Sequence, residues 1–389
     1  MTFPVDFSDR LKKLPPYLFV ALDAAKRKAR AEGKDIIDLG VGDPDLPTPT
    51  PIIEALAKAA KNPSNHRYAL DQGLPELRRT IQEWFKKRFN VPLHADEEIL
   101  PLIGSKEGLA HLPLGLVNPG DAVLIPDPCY PPYRSGVLFA GGQVISLPLL
   151  EKNDFKVDFT SIKRSSKKIK LLFLNYPNNP TGATADATFF DDAIDFCRRN
   201  HIILCHDAAY TEIAFGGHKP PSLFEHDGAK EVGVEFHSLS KTYNMTGWRI
   251  GFACGRREII ASLAKVKANI DSGIFQAIQL AGVEALKRPP AELAARNRIY
   301  EERRDILVEG LRKIGWKVPK PKASFYVWAP VPVKKRSSDF AASVLEKTGM
   351  VITPGVGFGK AGEGYIRMAL TVSKERIQEA CDRFQKLLG

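Results

Sequence analysis

In Ile202-Ile203-Leu204-Cys205-His206-Asp207-Ala208-Ala209-Tyr210 an unbroken apolar run, Ile202 to Cys205, leads through His206 to the carboxylate of Asp207. Apolar residues without alternation mark a strand buried on both faces. A carboxylate at the end of such a strand is costly unless it is paired. Similar apolar runs occur at 99–103, 122–125, 144–148, 171–174, 234–236 and 250–253, with helical periodicity between them. That alternation predicts an α/β fold with a mostly parallel seven-stranded sheet. In such sheets ligands collect beyond the carboxyl ends of the strands, so the residues that follow each run are the functional candidates.

Asp207 is one of them. It suits a protonated pyridine nitrogen: the ion pair keeps the ring cationic and able to accept electron density. Tyr210, three residues on, is placed to reach a phenolic oxygen on the same ring. His206 reads as a packing or orienting residue. A second candidate is Lys241 in Ser238-Leu239-Ser240-Lys241-Thr242-Tyr243-Asn244-Met245-Thr246-Gly247-Trp248-Arg249. A lysine amine condenses with an aldehyde, the usual anchorage of pyridoxal 5'-phosphate. Ser238, Ser240 and Arg249 are the right groups for its phosphate. Gly104-Ser105-Lys106-Glu107-Gly108 follows a strand and opens a helix, whose free N–H groups and dipole bind anions. Tyr176-Pro177-Asn178-Asn179-Pro180-Thr181-Gly182 is a rigid loop that aims Asn179. Each segment alone also has a plain structural reading, as a helix cap or a turn; their joint presence favours a cofactor site.

The rest of the chain bounds the class. Its 389 residues suffice for a large domain and a smaller one. Residues 1–45 are expected to form an N-terminal arm packed on the smaller domain, 46–286 a large cofactor-binding domain, and 287–389 a small α+β domain. In the last of these, strands are expected at 316–318, 325–328, 350–353 and 365–369, and helices at 296–314, 338–346 and from 373. Thr50 with Pro51 reads as a helix cap followed by proline in the first turn. The five cysteines are scattered, without metal-ligand spacing, which predicts reduced thiols, a cytoplasmic location and no metal. The sequence shows no signal peptide and no run fit to span a membrane. Net charge is +11, but the basic residues are dispersed and not interleaved with aromatics. They read as solvated faces, with no nucleic acid or membrane as partner, and their field favours anionic small molecules.

The order phosphate loop, Asn-Pro-Thr-Gly, Asp-x-x-Tyr, Ser-x-Ser-Lys and Arg, closed by Arg367 in Tyr365-Ile366-Arg367-Met368, resembles the class I/II aminotransferases over nearly the whole chain. The resemblance implies a large domain like that of aspartate aminotransferase and a homodimer. It gives Lys241 the roles of imine anchor and proton shuttle, and Asp207 the ring nitrogen. Asn179 and Tyr210 fall to the ring oxygen, and Ser105, Lys106, Ser238 and Arg249 to the phosphate. Tyr130 stacks on the ring, Arg367 clamps the substrate α-carboxylate, and the backbone of Gly42 approaches that carboxylate. Tyr68 reaches the phosphate of the neighbouring subunit.

The stretches 14–19, 68–73, 104–108, 237–251 and 355–359 are similar to LL-diaminopimelate aminotransferases. By that likeness the substrates are an amino acid and a 2-oxo acid, LL-2,6-diaminopimelate and 2-oxoglutarate. Tyr17, Lys106 and Tyr130 would meet the distal carboxylate, and Asp71, across the dimer, the distal amine. Some relatives carry glutamate at the position of Asp71, so its shorter side chain leaves that contact open. Another donor (aspartate, alanine or an aromatic amino acid) and a lyase of the same fold stay open as well. A regulator with an added DNA-binding domain is disfavoured, because only some forty residues precede the α/β region.

Overall fold

The computed structural model describes residues 5–15, 18–69, 72–163 and 165–389. Each of the seven apolar runs is a strand of one sheet. Their order across it is Ile99–Leu102, Gly251–Gly255, Gly233–Ser238, Ile203–Asp207, Ile169–Leu174, Ala122–Asp127 and Gln143–Pro148. Neighbours are parallel except at Gly251–Gly255, which runs antiparallel to the strands on both sides. Successive side chains enter opposite cores, as the pleat requires. Leu172, Leu174 and Leu204 join the core that includes Phe85 and Phe190. Leu171, Phe173 and Cys205 join the core that includes Leu109 and Leu263. All six strand residues are fully buried, each large one stabilising by roughly 1.5–3 kcal/mol. Of the seven strands, only the edge strand Gln143–Pro148 carries exposed residues.

The helices between strands begin and end where local chemistry dictates. Asp186 caps Ala187–Asn200 by accepting the Phe189 N–H at 3.0 Å, and His201 closes that helix in the left-handed region at φ 54°. Helix Thr50–Ala60 departs from the sequence reading: Pro49 takes the cap position, Thr50 is the first helical residue, and no side chain caps it.

A third core gathers the C-terminal part of the chain. Thr353–Pro354, Tyr365–Ala369 and Tyr326–Pro330 form an antiparallel sheet, with Arg367 opposite Trp328. Helices Ser337–Thr348 and Lys374–Leu388 cover it, beside Pro290–Lys313. The N-terminal pair Ile37–Asp38 runs parallel to Met350–Val351, and Leu39 enters the same core. Residues 316–318 are not a strand. Trp316 and Val318 are buried because the indole packs edge-on against Phe340 and Phe384 and donates to the Pro330 carbonyl at 2.7 Å. Their apolar pattern records packing without a ladder. All five cysteines are buried and free. Among the described residues, no helix is long and apolar enough to cross a membrane.

Candidate active site

The carboxyl end of Ile203–Asp207, the loop after Ile169–Leu174 and the start of helix Ser105–Leu116 converge on a cavity of about 360 Å³. Asp207, Tyr210, Asn179 and Tyr130 line it. So do Ser105, Lys106, Ser238, Ser240, Lys241 and Arg249, with Ala209 and Thr246. Ten residues singled out from separate stretches of sequence thus share one cavity.

One end is built for an anion. Helix Ser105–Leu116 starts there, so its first N–H groups lack intrahelical partners. Gly104, at φ 76°, turns the chain into the helix; a side chain there would run into the Arg249 guanidinium. Arg249 is itself held by its bond to the Thr246 carbonyl at 2.8 Å. Ser238 caps the short helix Leu239–Thr242 by accepting the Ser240 N–H.

Asp207 is 4% exposed, and burial pushes its carboxyl up from the ordinary value, opposed by the hydrogen bond from Tyr133. That bond, from the Tyr133 hydroxyl to Oδ2, is 2.6 Å long. The other oxygen accepts the Ala209 N–H at 3.2 Å. Asn175 seats both neighbouring loops: its amide donates to the Asp207 carbonyl at 2.7 Å, and its oxygen accepts the Asn179 N–H at 2.8 Å.

The Lys241 amine donates to the Gly42 carbonyl at 2.9 Å. Burial lowers it from 10.5 to about 8; the Asp43 carboxylate opposes the shift, and the Arg367 and Arg249 guanidinium groups add to it. Arg367 is 1% exposed. Its guanidinium donates to Asn179 Oδ1 at 2.7 Å and to the Gly40 carbonyl at 2.6 Å. The rings of Tyr326 and Phe358 flank it at 4.1 and 4.7 Å. Gly42 has no room for a side chain, because a Cβ would overlap the Tyr326 hydroxyl. That hydroxyl stands 3.0 Å from the hydroxyl of Tyr210. Burial first, then Tyr326, raises the Tyr210 phenol well above its ordinary value, so it stays a neutral donor.

Tyr68 lies outside this cavity and is 82% exposed. Tyr17 and Asp71 lie outside the described residues. Sequence reasoning missed Tyr133, Tyr326 and Phe358. Tyr133 has a weak signal, following Tyr130 by three residues; the other two sit on an ordinary strand and a glycine-rich turn whose neighbours only folding reveals.

The family model for aminotransferase class I and II matches residues 34–384. The LL-diaminopimelate aminotransferase of Syntrophobacter fumaroxidans is 54% identical, with 98% of each chain covered. That of Moorella thermoacetica is 52% identical, again over 98% of each. Among solved structures, substrate-bound BacF from Bacillus subtilis superposes with a TM-score of 0.96 at 40% identity, covering 99% of this chain and 98% of its own. A match across this much of the sequence and of the fold shows that the chain belongs to the class I and II aminotransferases.

Proposed function

We propose that this protein is an LL-diaminopimelate aminotransferase that uses pyridoxal 5'-phosphate. It exchanges amino and oxo groups between LL-2,6-diaminopimelate and 2-oxoglutarate, giving tetrahydrodipicolinate and glutamate, a step of lysine biosynthesis. The observation that carries the reading is the single cavity in which a half-buried amine, a buried carboxylate and an anion-binding helix start face one another. The names of relatives identical at about half their positions favour the donor.

The donor set fits the cofactor. The first N–H groups of helix Ser105–Leu116, at Ser105 and Lys106, with Ser238, Ser240 and Arg249, match a phosphate dianion. Asp207, desolvated and raised, gains most from a cationic partner such as a pyridinium. When bound, pyridoxal 5'-phosphate supplies an aldehyde for amines and a cationic ring that stabilises negative charge at the substrate Cα. Asn179 and Tyr210 bind the ring oxygen, and Tyr130 covers the ring. Lys241, near neutrality at about 8, serves as nucleophile and then carries the proton from Cα. Arg367 holds the α-carboxylate with its fork beside Asn179 and the Gly42 backbone, fixing the angle of the Cα–H bond. Tyr17, Lys106 and Tyr130 meet the distal carboxylate, and Asp71 of the partner subunit the distal amine. Tyr68 of the partner subunit reaches the phosphate in a cytoplasmic homodimer. The chain divides into an arm at 1–45, a large domain at 46–286 and a small one at 287–389.

A coupled assay tests the donor: purified protein, pyridoxal 5'-phosphate, LL-diaminopimelate and 2-oxoglutarate, with glutamate followed. Aspartate, alanine and phenylalanine run in parallel. Turnover confined to diaminopimelate is expected. Equal turnover with simple donors would overturn the specificity, and product release without 2-oxoglutarate would point to a lyase.

A further inference from the structure

Next to Asp207, one residue back along its strand, begins a buried charged cluster that no role above uses. His206 and Glu235 are register partners on adjacent parallel strands, and both are fully buried. The Glu235 carboxylate has four partners: the Ser222 hydroxyl at 2.9 Å, the Leu223 N–H at 2.6 Å, His206 Nδ1 at 2.9 Å and His237 Nε2 at 2.6 Å. Burial raises this carboxyl, but the hydrogen bonds from His206 and His237 outweigh it and hold it well below the usual carboxylate range.

A buried carboxylate with no cation beside it is strongly disfavoured. Cys254, its register partner on the other side, offers no positive charge: a thiol is neutral or anionic, and burial keeps this one neutral. The choice lies between two imidazoles. His237 packs among Trp84, Phe85 and Phe252, and a neutral ring supplies the single N–H that Glu235 needs from it. His206 differs, because acceptors stand at both of its nitrogens. Nδ1 faces Glu235, and Nε2 stands 3.0 Å from the Tyr176 carbonyl; the Tyr176 N–H also points at Nε2, from the longer distance of 3.4 Å, and would donate to it if that nitrogen carried no proton. The carbonyl contact is the shorter of the two at Nε2, and a proton there serves it while Nδ1–H serves Glu235.

Both neighbours of this ring lead to the site. Asp207 follows it in sequence, and positive charge on His206 favours the ionised form of that carboxyl. Tyr176 opens the loop that presents Asn179 to Arg367. We propose that Glu235 is a positioning residue of the transfer reaction: it holds His206 as an imidazolium, whose charge keeps Asp207 ionised and whose second N–H seats the loop from Tyr176 to Asn179. The inference rests on the reading of Asp207 as the partner of the cofactor ring nitrogen.

The test uses Glu235→Gln, which keeps shape and one acceptor oxygen but removes the charge. Nitrogen-15 histidine spectra of the full-length apoprotein report the ring protons directly, with His206 assigned through His206→Gln. Two ring protons on His206 are expected in the natural protein and one in Glu235→Gln. In the cofactor-loaded enzyme, loss of the charge weakens ionisation of Asp207 and hence protonation of the ring nitrogen. The pH midpoint of the bound cofactor's absorbance then moves up by about one unit. kcat falls about tenfold with KM nearly unchanged. A merely structural role would lower Tm and leave that midpoint in place. His206→Asn serves if Glu235→Gln does not fold, and it should move the midpoint in the same direction. A neutral His206 in the natural apoprotein, or an unmoved midpoint in a folded variant, overturns the proposal. The apoprotein spectrum requires neither donor nor turnover, so a wrong functional reading would leave it intact.

Discussion

The Lys241 amine stands 2.9 Å from the carbonyl oxygen of Gly42, which ties the short helix Leu239–Thr242 to the N-terminal segment. No carboxylate makes a hydrogen bond to this amine among the described residues, although Asp43 acts on it from a distance. Such an amine is held for chemistry more than for stability. Lys241→Ala should lower transamination by more than about ten-thousandfold and abolish the absorbance of the lysine-bound cofactor. The far-ultraviolet circular dichroism should not change. Turnover near the natural rate would remove Lys241 from the mechanism.

The same residue predicts a pH dependence of stability. Its folded value is about 8 against an ordinary 10.5. Between those values the unfolded chain binds a proton that the folded chain does not, so stability rises with pH across the window. At lower pH the folded protein bears the whole cost, of about 3 kcal/mol. Lys241→Met removes the group, and all other titrations cancel in the comparison. The apoprotein variant should therefore exceed the natural apoprotein in urea resistance near neutral pH. That advantage should shrink through the window and vanish above it. A difference independent of pH would contradict the depressed amine.

How far the site was legible follows from where each residue sits. Asp207, Asn179 and Lys241 stand beside buried strands, and an apolar run that stops at a polar or proline-rich loop shows in one dimension. Ser105 was legible because Gly104 must adopt a positive φ there. The sheet was legible for a similar reason: strands buried on both faces have no polar alternation. Tyr133, Tyr326 and Phe358 act through partners 74, 116 and 9 positions away, and no local pattern marks them. Trp316 misled for the converse reason: its burial comes from packing against helices, and an apolar triplet cannot distinguish that from a ladder.

Tyr133 yields the third prediction. Its hydroxyl donates to Asp207 at 2.6 Å while its ring stacks on Phe173 at 4.8 Å. Tyr133→Phe keeps the stack and removes one bond to a buried charged acceptor. That loss should weaken cofactor affinity about tenfold, read by titrating apoprotein with pyridoxal 5'-phosphate, with Tm of the apoprotein nearly unchanged. Unaltered affinity would mean that Asp207 does not depend on this hydroxyl.

Arg367 yields the last. Its two terminal nitrogens are fixed by Asn179 and the Gly40 carbonyl, and its plane lies between Tyr326 and Phe358. Lysine would keep the charge but lose both the planar fork and the stacking. In the proposed function the guanidinium meets the α-carboxylate, which the amino acid and the oxo acid share. Arg367→Lys should therefore raise KM for both by a similar factor, about a hundredfold, with a smaller fall in kcat. Steady-state kinetics with each substrate varied in turn decides the matter. If KM rose for the amino donor alone, Arg367 would be reading the amino donor's side chain in place of the shared carboxylate, and the orientation of substrate in the cavity would have to be reversed.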